Sequence, residues 1–326
     1  MILKCLNDAK YISLLIMDTV LFNDVCLFKN NKTIIYGQYL NVKPSIKTNS
    51  PLHFNVVFCK NRNDFYIEIN GRVTRIDEIT FTYGDNDVVI KDIVIGFPFE
   101  NCNLELNADS VIMSTMCKDY SSRLEEWIEY NLRLGVSGII LFDNDENKKN
   151  KINEPSGHLT NNGTIRDICK KYNGKVWRVK FNYSPFRKNH WNTIQRITLS
   201  IGVNAFREKC GKIALIDADE FIHIPTKGNL IEFLSTYKGK TVTIRSNILT
   251  NKSNNDTINN NILDLCQYVG ENKYTKTILD TRQISEMEFI VSPHEHRKQI
   301  ILPKDEIIHY HCWVNSRCKY DEKWKK

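Results

Sequence analysis

Near residue 109 the chain changes rhythm, and this change limits its architecture more than any other feature. Beyond it, strand-like and helix-like segments alternate. Apolar runs at 110–117, 138–142, 176–181 and 213–216 read as strands. Between them, Ser122-x-x-Glu125 reads as a capping box that opens a helix, with Leu124, Trp127 and Ile128 as its apolar face and Gly135 as its end. Segments 165–172 and 189–209 have helical periodicity, the second marked by Ile194, Ile197, Ile201 and Phe206. Such alternation predicts a mostly parallel sheet flanked by helices, with ligands held outside the carboxyl ends of its strands. Before residue 109 the texture is different. Short runs rich in Val, Ile, Phe and Tyr at 11–17, 20–28, 33–39, 52–59, 65–69, 79–83 and 88–97 are broken by Asn30-Asn31, Asn70-Gly71 and Gly84-Asp85. Strands at this spacing predict an antiparallel sandwich or barrel, and Asn-Gly between two of them predicts a hairpin. The expected organisation is therefore an all-β accessory domain over 1–108 and an α/β domain over 109–326.

Chemistry concentrates at the ends of the later strands. The run Ile213-Ala214-Leu215-Ile216 delivers Asp217-Ala218-Asp219-Glu220-Phe221 to its carboxyl edge. Residues two apart on an extended backbone face the same side, so Asp217 and Asp219 can serve one site. Two hard oxygen donors there suit Mg²⁺ or Mn²⁺ carrying a diphosphate. The preceding strands end in Lys118-Asp119 and Asp143-Asn144-Asp145, so polar groups recur where a nucleotide would lie. The Asn-rich stretch 250–261 has almost no apolar residue and reads as a loop.

The chain carries a net charge of +7 on 326 residues, without the aromatic-interleaved basic motif of a nucleic-acid module. That balance suits an anionic substrate and permits peripheral contact with an acidic membrane surface. Ten cysteines include no Cys-x-x-Cys pair, which argues against a zinc knuckle and for a reducing compartment. No apolar stretch is long enough for a membrane helix and the first residues form no signal peptide. The expected location is cytoplasmic, or the Golgi lumen if a signal anchor precedes this chain.

Met116-Cys117-Lys118-Asp119, then Leu124-Glu125-Glu126-Trp127-Ile128-Glu129-Tyr130, Leu134-Gly135-Val136 and Phe142-Asp143-Asn144 occur in an order that resembles the opening of glycosyltransferase family 92 and related family-2-like enzymes. Gln195, Cys210, Leu215-Ile216-Asp217-Ala218-Asp219-Glu220-Phe221-Ile222 with Pro225, Lys276-Thr277-Ile278, His294 and His309-Tyr310-His311 continue the likeness over about 110–313. Position 120 is Tyr where that family usually has Glu.

The resemblance implies a GT-A-type fold, Rossmann-like, and transfer of a sugar from a nucleotide-diphosphate sugar to a glycan acceptor with the help of Mn²⁺ or Mg²⁺. Asp217, Asp219 and His311 would hold the metal, and Lys118, Asp119, Asp143, Gln195 and Asp217 would surround the nucleotide. An inverting transfer also needs a base, for which Glu295 and His294 in the turn Ser292-Pro293-His294-Glu295-His296 are the candidates. Two other readings share these residues. One is a metal-dependent nucleotidyltransferase, and the other a glycan-binding protein without catalysis.

Overall fold

A computed structural model describes residues 15–16, 20–22, 25–40, 42–118, 121–144, 164–181, 183, 191–226, 228–251, 266–297 and 299–312. Asp119 and positions 252–261 of the Asn-rich stretch lie outside the described residues. The chain divides into two compact units, one comprising Met1–Asn101 with Tyr183–Ile197, the other Cys102–Asn182 with Thr198–Lys326.

The described part of the first unit is built mainly of antiparallel strands: β1 (Leu15–Ile16), β2 (Val20–Phe22), β3 (Leu27–Lys29), β4 (Lys32–Tyr39), β5 (Ser45–Thr48), β6 (Phe54–Phe58), β7 (Asp64–Asn70), β8 (Arg75–Tyr83) and β9 (Asn86–Val94). Among the described residues, one sheet runs β1-β2-β4-β7-β6 with β3 also on β4, and a second runs β5-β8-β9. Ile35, Phe65 and Ile67 from the first sheet share a core with Ile79, Phe81 and Ile90 from the second. Turn chemistry explains the connections. Asn30 and Asn31 both take positive φ, 51° and 57°, as the two-residue hairpin between β3 and β4 requires. Gly84 at φ +58° opens the β8–β9 hairpin.

Asn70-Gly71 behaves differently from the hairpin its residues predict. The strands on either side of it, β7 and β8, belong to different sheets. Gly71 instead bonds back to the first hairpin: its N–H donates to the Asn31 carbonyl at 2.7 Å, and its carbonyl accepts from Thr33 Oγ1 at 2.9 Å. The left-handed φ of +81° at Gly71 is used to leave one sheet for the other.

The second unit contains β10 (Val111–Cys117), α1 (Ser121–Arg133), β11 (Gly138–Asp143), α2 (Ile165–Lys171) and β12 (Val176–Lys180). Next come α3 (Trp191–Phe206), β13 (Lys212–Leu215), β14 (Glu220–His223), α4 (Leu230–Ser235), β15 (Thr241–Asn251), β16 (Cys266–Asp280), β17 (Gln299–Ile301) and β18 (Ile308–Cys312). The first part of α3, through Ile197, groups with the first unit, where Arg196 pairs with Asp64 at 3.1 Å.

Among the described residues these strands form one nine-stranded sheet in the order β12-β11-β10-β13-β16-β15-β18-β14, with β17 on β15. The half from β12 to β13 is parallel. From β13 onward the pairing is mixed: β16 is antiparallel to both β13 and β15, while β18 is parallel to β15 and antiparallel to β14. The expectation of a mostly parallel sheet thus gives way to a mixed one. Its alternation signal stops at β13, and the strands after it are not separated by crossover helices of the same rhythm.

Helix α1 packs its Leu124, Trp127 and Ile128 face into the core of this unit. Its Trp127 indole N–H donates to the Glu220 carbonyl at 2.7 Å and Tyr130 Oη to the Ile222 carbonyl at 2.7 Å, so the helix is tied to β14. Gly135 ends the helix at φ +99°, and a Cβ there would lie 2.3 Å from the Asn229 side chain that caps α4. On the other part of the sheet, Gly202 of α3 leaves room for Ser114 and Phe142.

Candidate active site

Strand order reverses between β10 and β13, because the chain runs from β10 outward to β12 before returning to β13 on the other side. Open α/β sheets bind ligands outside the carboxyl ends at such a point. Just past the end of β13 come Asp217 and, in the turn, Asp219, both half-buried. The turn passes into β14, whose first residue is Glu220.

Three pairings assemble the site. The β14–β18 ladder puts Glu220 opposite His311, and Cys312 N donates to the Asp219 carbonyl at 3.0 Å. His311 Nε2 thereby lies 3.3 Å from Asp219 Oδ2, although the residues are 92 apart in sequence. The β13–β16 ladder brings Lys276 beside the end of β13. Its Nζ donates to Asp217 Oδ2 at 2.5 Å and sits 3.0 Å from Glu220 Oε2. Glu220 Oε2 also accepts from the backbone N–H of Asp217 at 3.0 Å, which closes the turn.

The electrostatics follow from burial and neighbours. Lys276 is 1% exposed. Burial alone would favour its neutral form, but Asp217 and Glu220 outweigh that and hold it charged, with its pKa above the ordinary lysine value. His311 shows the same contest. Burial disfavours the imidazolium, yet Asp219 by charge and hydrogen bond, then Glu220 and Asp217, raise its pKa to about 9. His309 goes the other way. It is 0% exposed, its Nδ1 is 3.8 Å from Glu220 Oε1, and neither ring nitrogen has a hydrogen-bond partner among the described residues. Burial, with the charges of Lys276 and His311, pushes its pKa well below the usual histidine range, so it is a neutral ring beneath the cluster.

A divalent cation with oxygen and nitrogen bonds of ~2.1 Å holds neighbouring octahedral donors ~3 Å apart. The 3.3 Å separation of Asp219 Oδ2 and His311 Nε2 fits that spacing. Among the described residues no group of three His, Cys, Asp or Glu side chains is arranged to hold a metal. Asp217 commits Oδ2 to Lys276. Asp219 Oδ2 and His311 Nε2 are then the two donors left at this spacing, and an ion held by them would need the rest of its shell from elsewhere.

The other sequence candidates are distributed unevenly. Lys118 follows β10 and Asp143 closes β11, both at the carboxyl edge. Asp143 is 2% exposed and its Oδ2 accepts from Arg178 Nε of β12 at 2.6 Å, so it acts first as the partner of a cation. Gln195 lies on the part of α3 that groups with the first unit. His294 donates from Nδ1 to the Thr275 carbonyl at 2.6 Å, one residue from Lys276, and Glu295 is exposed beside it. Lys276, Glu220 and His309 are the residues that sequence reasoning quoted without assigning a role. The available signal was a lysine inside the apolar-flanked strand Tyr274–Leu279, where a fully buried charge needs carboxylate partners.

No protein-family model matches the chain. The chain is similar to a glycosyltransferase family 92 protein of Oryza sativa subsp. japonica, 26% identical over 143 residues, which is 44% of this chain and 21% of that relative. The match thus spans about a fifth of the relative's own length.

Proposed function

We propose that the second unit is a metal-assisted glycosyltransferase of GT-A type, moving a sugar from a nucleotide-diphosphate sugar to a glycan acceptor with inversion. The observation that carries this reading is the cluster of Asp217, Asp219, Glu220, Lys276 and His311 at the carboxyl end of β13, beside the reversal of strand order. The similarity to a family 92 glycosyltransferase supports the same class of reaction.

In this reading Asp219 and His311 would hold Mn²⁺ or Mg²⁺, His311 as the neutral ring after surrendering its proton. The ion, when bound, would neutralise the departing diphosphate, which is the main electrophilic help this reaction needs. Asp217, its carboxylate oriented by Lys276, would receive the ribose. Lys118 and the Asp143–Arg178 pair would line the nucleotide side of the edge, with Asp119 beside Lys118 in sequence. Lys276 and Glu220 hold the turn that aims both aspartates. Glu295 is the proposed base that takes the acceptor hydroxyl proton, with His294 the alternative. The acceptor oxygen then attacks the anomeric carbon opposite the leaving diphosphate.

A thermal-shift screen of nucleotide sugars, each with and without Mn²⁺, tests donor class and metal dependence together. The reading requires stabilisation that depends on both components and release of a nucleoside diphosphate on turnover. Release of inorganic pyrophosphate would instead identify a nucleotidyltransferase. Stabilisation by glycans with no response to nucleotide or metal would identify a glycan-binding protein.

A further inference from the structure

Strand β16 carries an irregularity beside the cluster. Lys276 pairs with Ile244 of β15 and Asn272 with Ser246, so β16 spends four residues where β15 spends two. Lys273-Tyr274-Thr275 thus stands opposite the single Arg245, a surplus of two residues, and bulges next to sites serve to re-aim a side chain. Tyr274 lies in this stretch and is 51% exposed, like Lys273 before it, whereas the strand is buried from Lys276 to Asp280.

The Tyr274 ring is braced. It lies against the His294 imidazole with centroids 5.2 Å apart and planes 34° from parallel. His294 is itself held in place on several sides. Its Nδ1 donates to the Thr275 carbonyl at 2.6 Å, its carbonyl accepts from Thr275 Oγ1 at 2.6 Å, and its N–H donates to Ser292 Oγ at 3.0 Å. One residue earlier the Pro293 carbonyl accepts from Thr277 N at 2.9 Å. Lys273 Nζ lies over the Tyr274 ring, 5.1 Å from its centroid. The assembly is two residues from Lys276. A fixed aromatic ring, open to solvent and flanked by a mobile hydrogen-bond donor, matches a ligand with one apolar face and a hydroxyl rim. A pyranose ring has that character.

We propose that Tyr274, braced by His294, is the stacking platform for a pyranose ring of the acceptor, with Lys273 donating to its hydroxyls. This rests on the transferase reading above and deepens it by assigning the acceptor side of the site. Tyr274 is a binding residue and His294 a positioning residue, acting through the ring it supports.

Saturation-transfer NMR on the full chain tests the platform without turnover. The probes are the methyl glycosides of β-glucose, β-galactose and α-mannose, together with N-acetylglucosamine and UDP. The proteins are wild type, Tyr274→Ala, Tyr274→Phe and Asp219→Asn. Saturation of ring C–H protons of at least one pyranoside is expected in wild type, Tyr274→Phe and Asp219→Asn. In Tyr274→Ala its affinity should fall about three- to tenfold, the range of an aromatic stacking contact. Mn²⁺-dependent UDP binding should be the same in Tyr274→Ala as in wild type. The proposal is overturned if no pyranoside signal depends on Tyr274, or if the uracil protons of UDP are the ones that do, since the ring would then hold a nucleobase. A Tyr274-dependent pyranoside signal, with no nucleotide sugar bound in the presence of Mn²⁺, would uphold the platform and sink the transferase reading. Tyr274→Gln repeats the truncation with a polar residue and separates stacking from any change in folding.

Discussion

Strands β13 and β16 join two charged clusters, one at each end, and the pair are mirror images in chemistry. At the amino end of β13 the strand supplies the cation, Lys212, and β16 the anion, Asp280, opposite each other in register and 3.1 Å apart. At the carboxyl end β13 leads into the anions Asp217, Asp219 and Glu220, and β16 supplies the cation, Lys276. The first cluster is closed. Lys212 Nζ also donates to the carbonyls of Tyr237 and Lys240, and Asp280 accepts from Gly239 N, Arg282 N and Arg282 Nε. Asp280 is 0% exposed. The second cluster is open on one side, where Asp219 keeps 35% of its side chain accessible. The same ladder therefore yields a closed clamp at one end, and at the other a cluster in which Asp217 and Asp219 keep 32% and 35% of their side chains accessible.

Removing charge at each end should separate these roles. The largest effect is expected for Lys276→Met, which strips the counter-charge from buried Glu220 and from Asp217 together. Breaking a buried pair by deleting one partner costs about 3–5 kcal/mol, read as a lower urea midpoint at unchanged slope. A variant as stable as wild type would mean that the carboxylates are neutralised in some other way. Next comes Asp219→Asn, which should leave the urea midpoint within about 0.5 kcal/mol of wild type, as for a partly exposed substitution. On the proposed transferase reading, the same change should lower transfer in the presence of Mn²⁺ by about 100-fold or more, the scale of losing one electrostatic contact to a developing charge. Calorimetry with Mn²⁺ and nucleotide checks it, and equal affinity in the variant would exclude Asp219 as a ligand.

The smallest effect is a pH dependence confined to the clamp. Burial works against the Asp280 carboxylate, but hydrogen bonds from Arg282 and Lys212 prevail and lower its pKa to about 2. Because the folded value is depressed, its contribution is complete above the unfolded value of about 4 and is lost as pH falls from there through about 2. Urea midpoints should drop between pH 4.5 and pH 2.5 in wild type by more than in Asp280→Asn. Parallel curves for the two proteins would show that the clamp does not titrate in this window.

Much of this was legible in the residues. Local periodicity located β10, α1, β11, α2, β12, α3 and β13 close to their observed limits, because each signal is contained within one element. Contiguity with the apolar run was enough to set Asp217 and Asp219 just past β13, although Ala218 and Asp219 form a turn and not the extended backbone that alternation assumes. Gly135 ended α1 where a left-handed turn was needed. The failures came where distant segments compete for the same group. Asn70-Gly71 has hairpin chemistry, yet its flanking strands found better partners in two different sheets. Asp143 stands at its strand end, and its pairing with Arg178 of the adjacent parallel strand is set by register and could not be read from its own segment.

What the sequence determined by itself was the run of elements from β10 to β13 and the carboxylate pair that follows it. Tertiary structure alone decided which charges meet. Lys276 reaches Asp217 across 59 residues and His311 reaches Asp219 across 92, through the β13–β16 and β14–β18 ladders. A lysine in a strand is solvated or buried according to which strand pairs beside it. Periodicity reports a residue's face but carries no information about its partner across the sheet, so neither the neutral His309 nor the charged His311 could be told apart until β18 was in register.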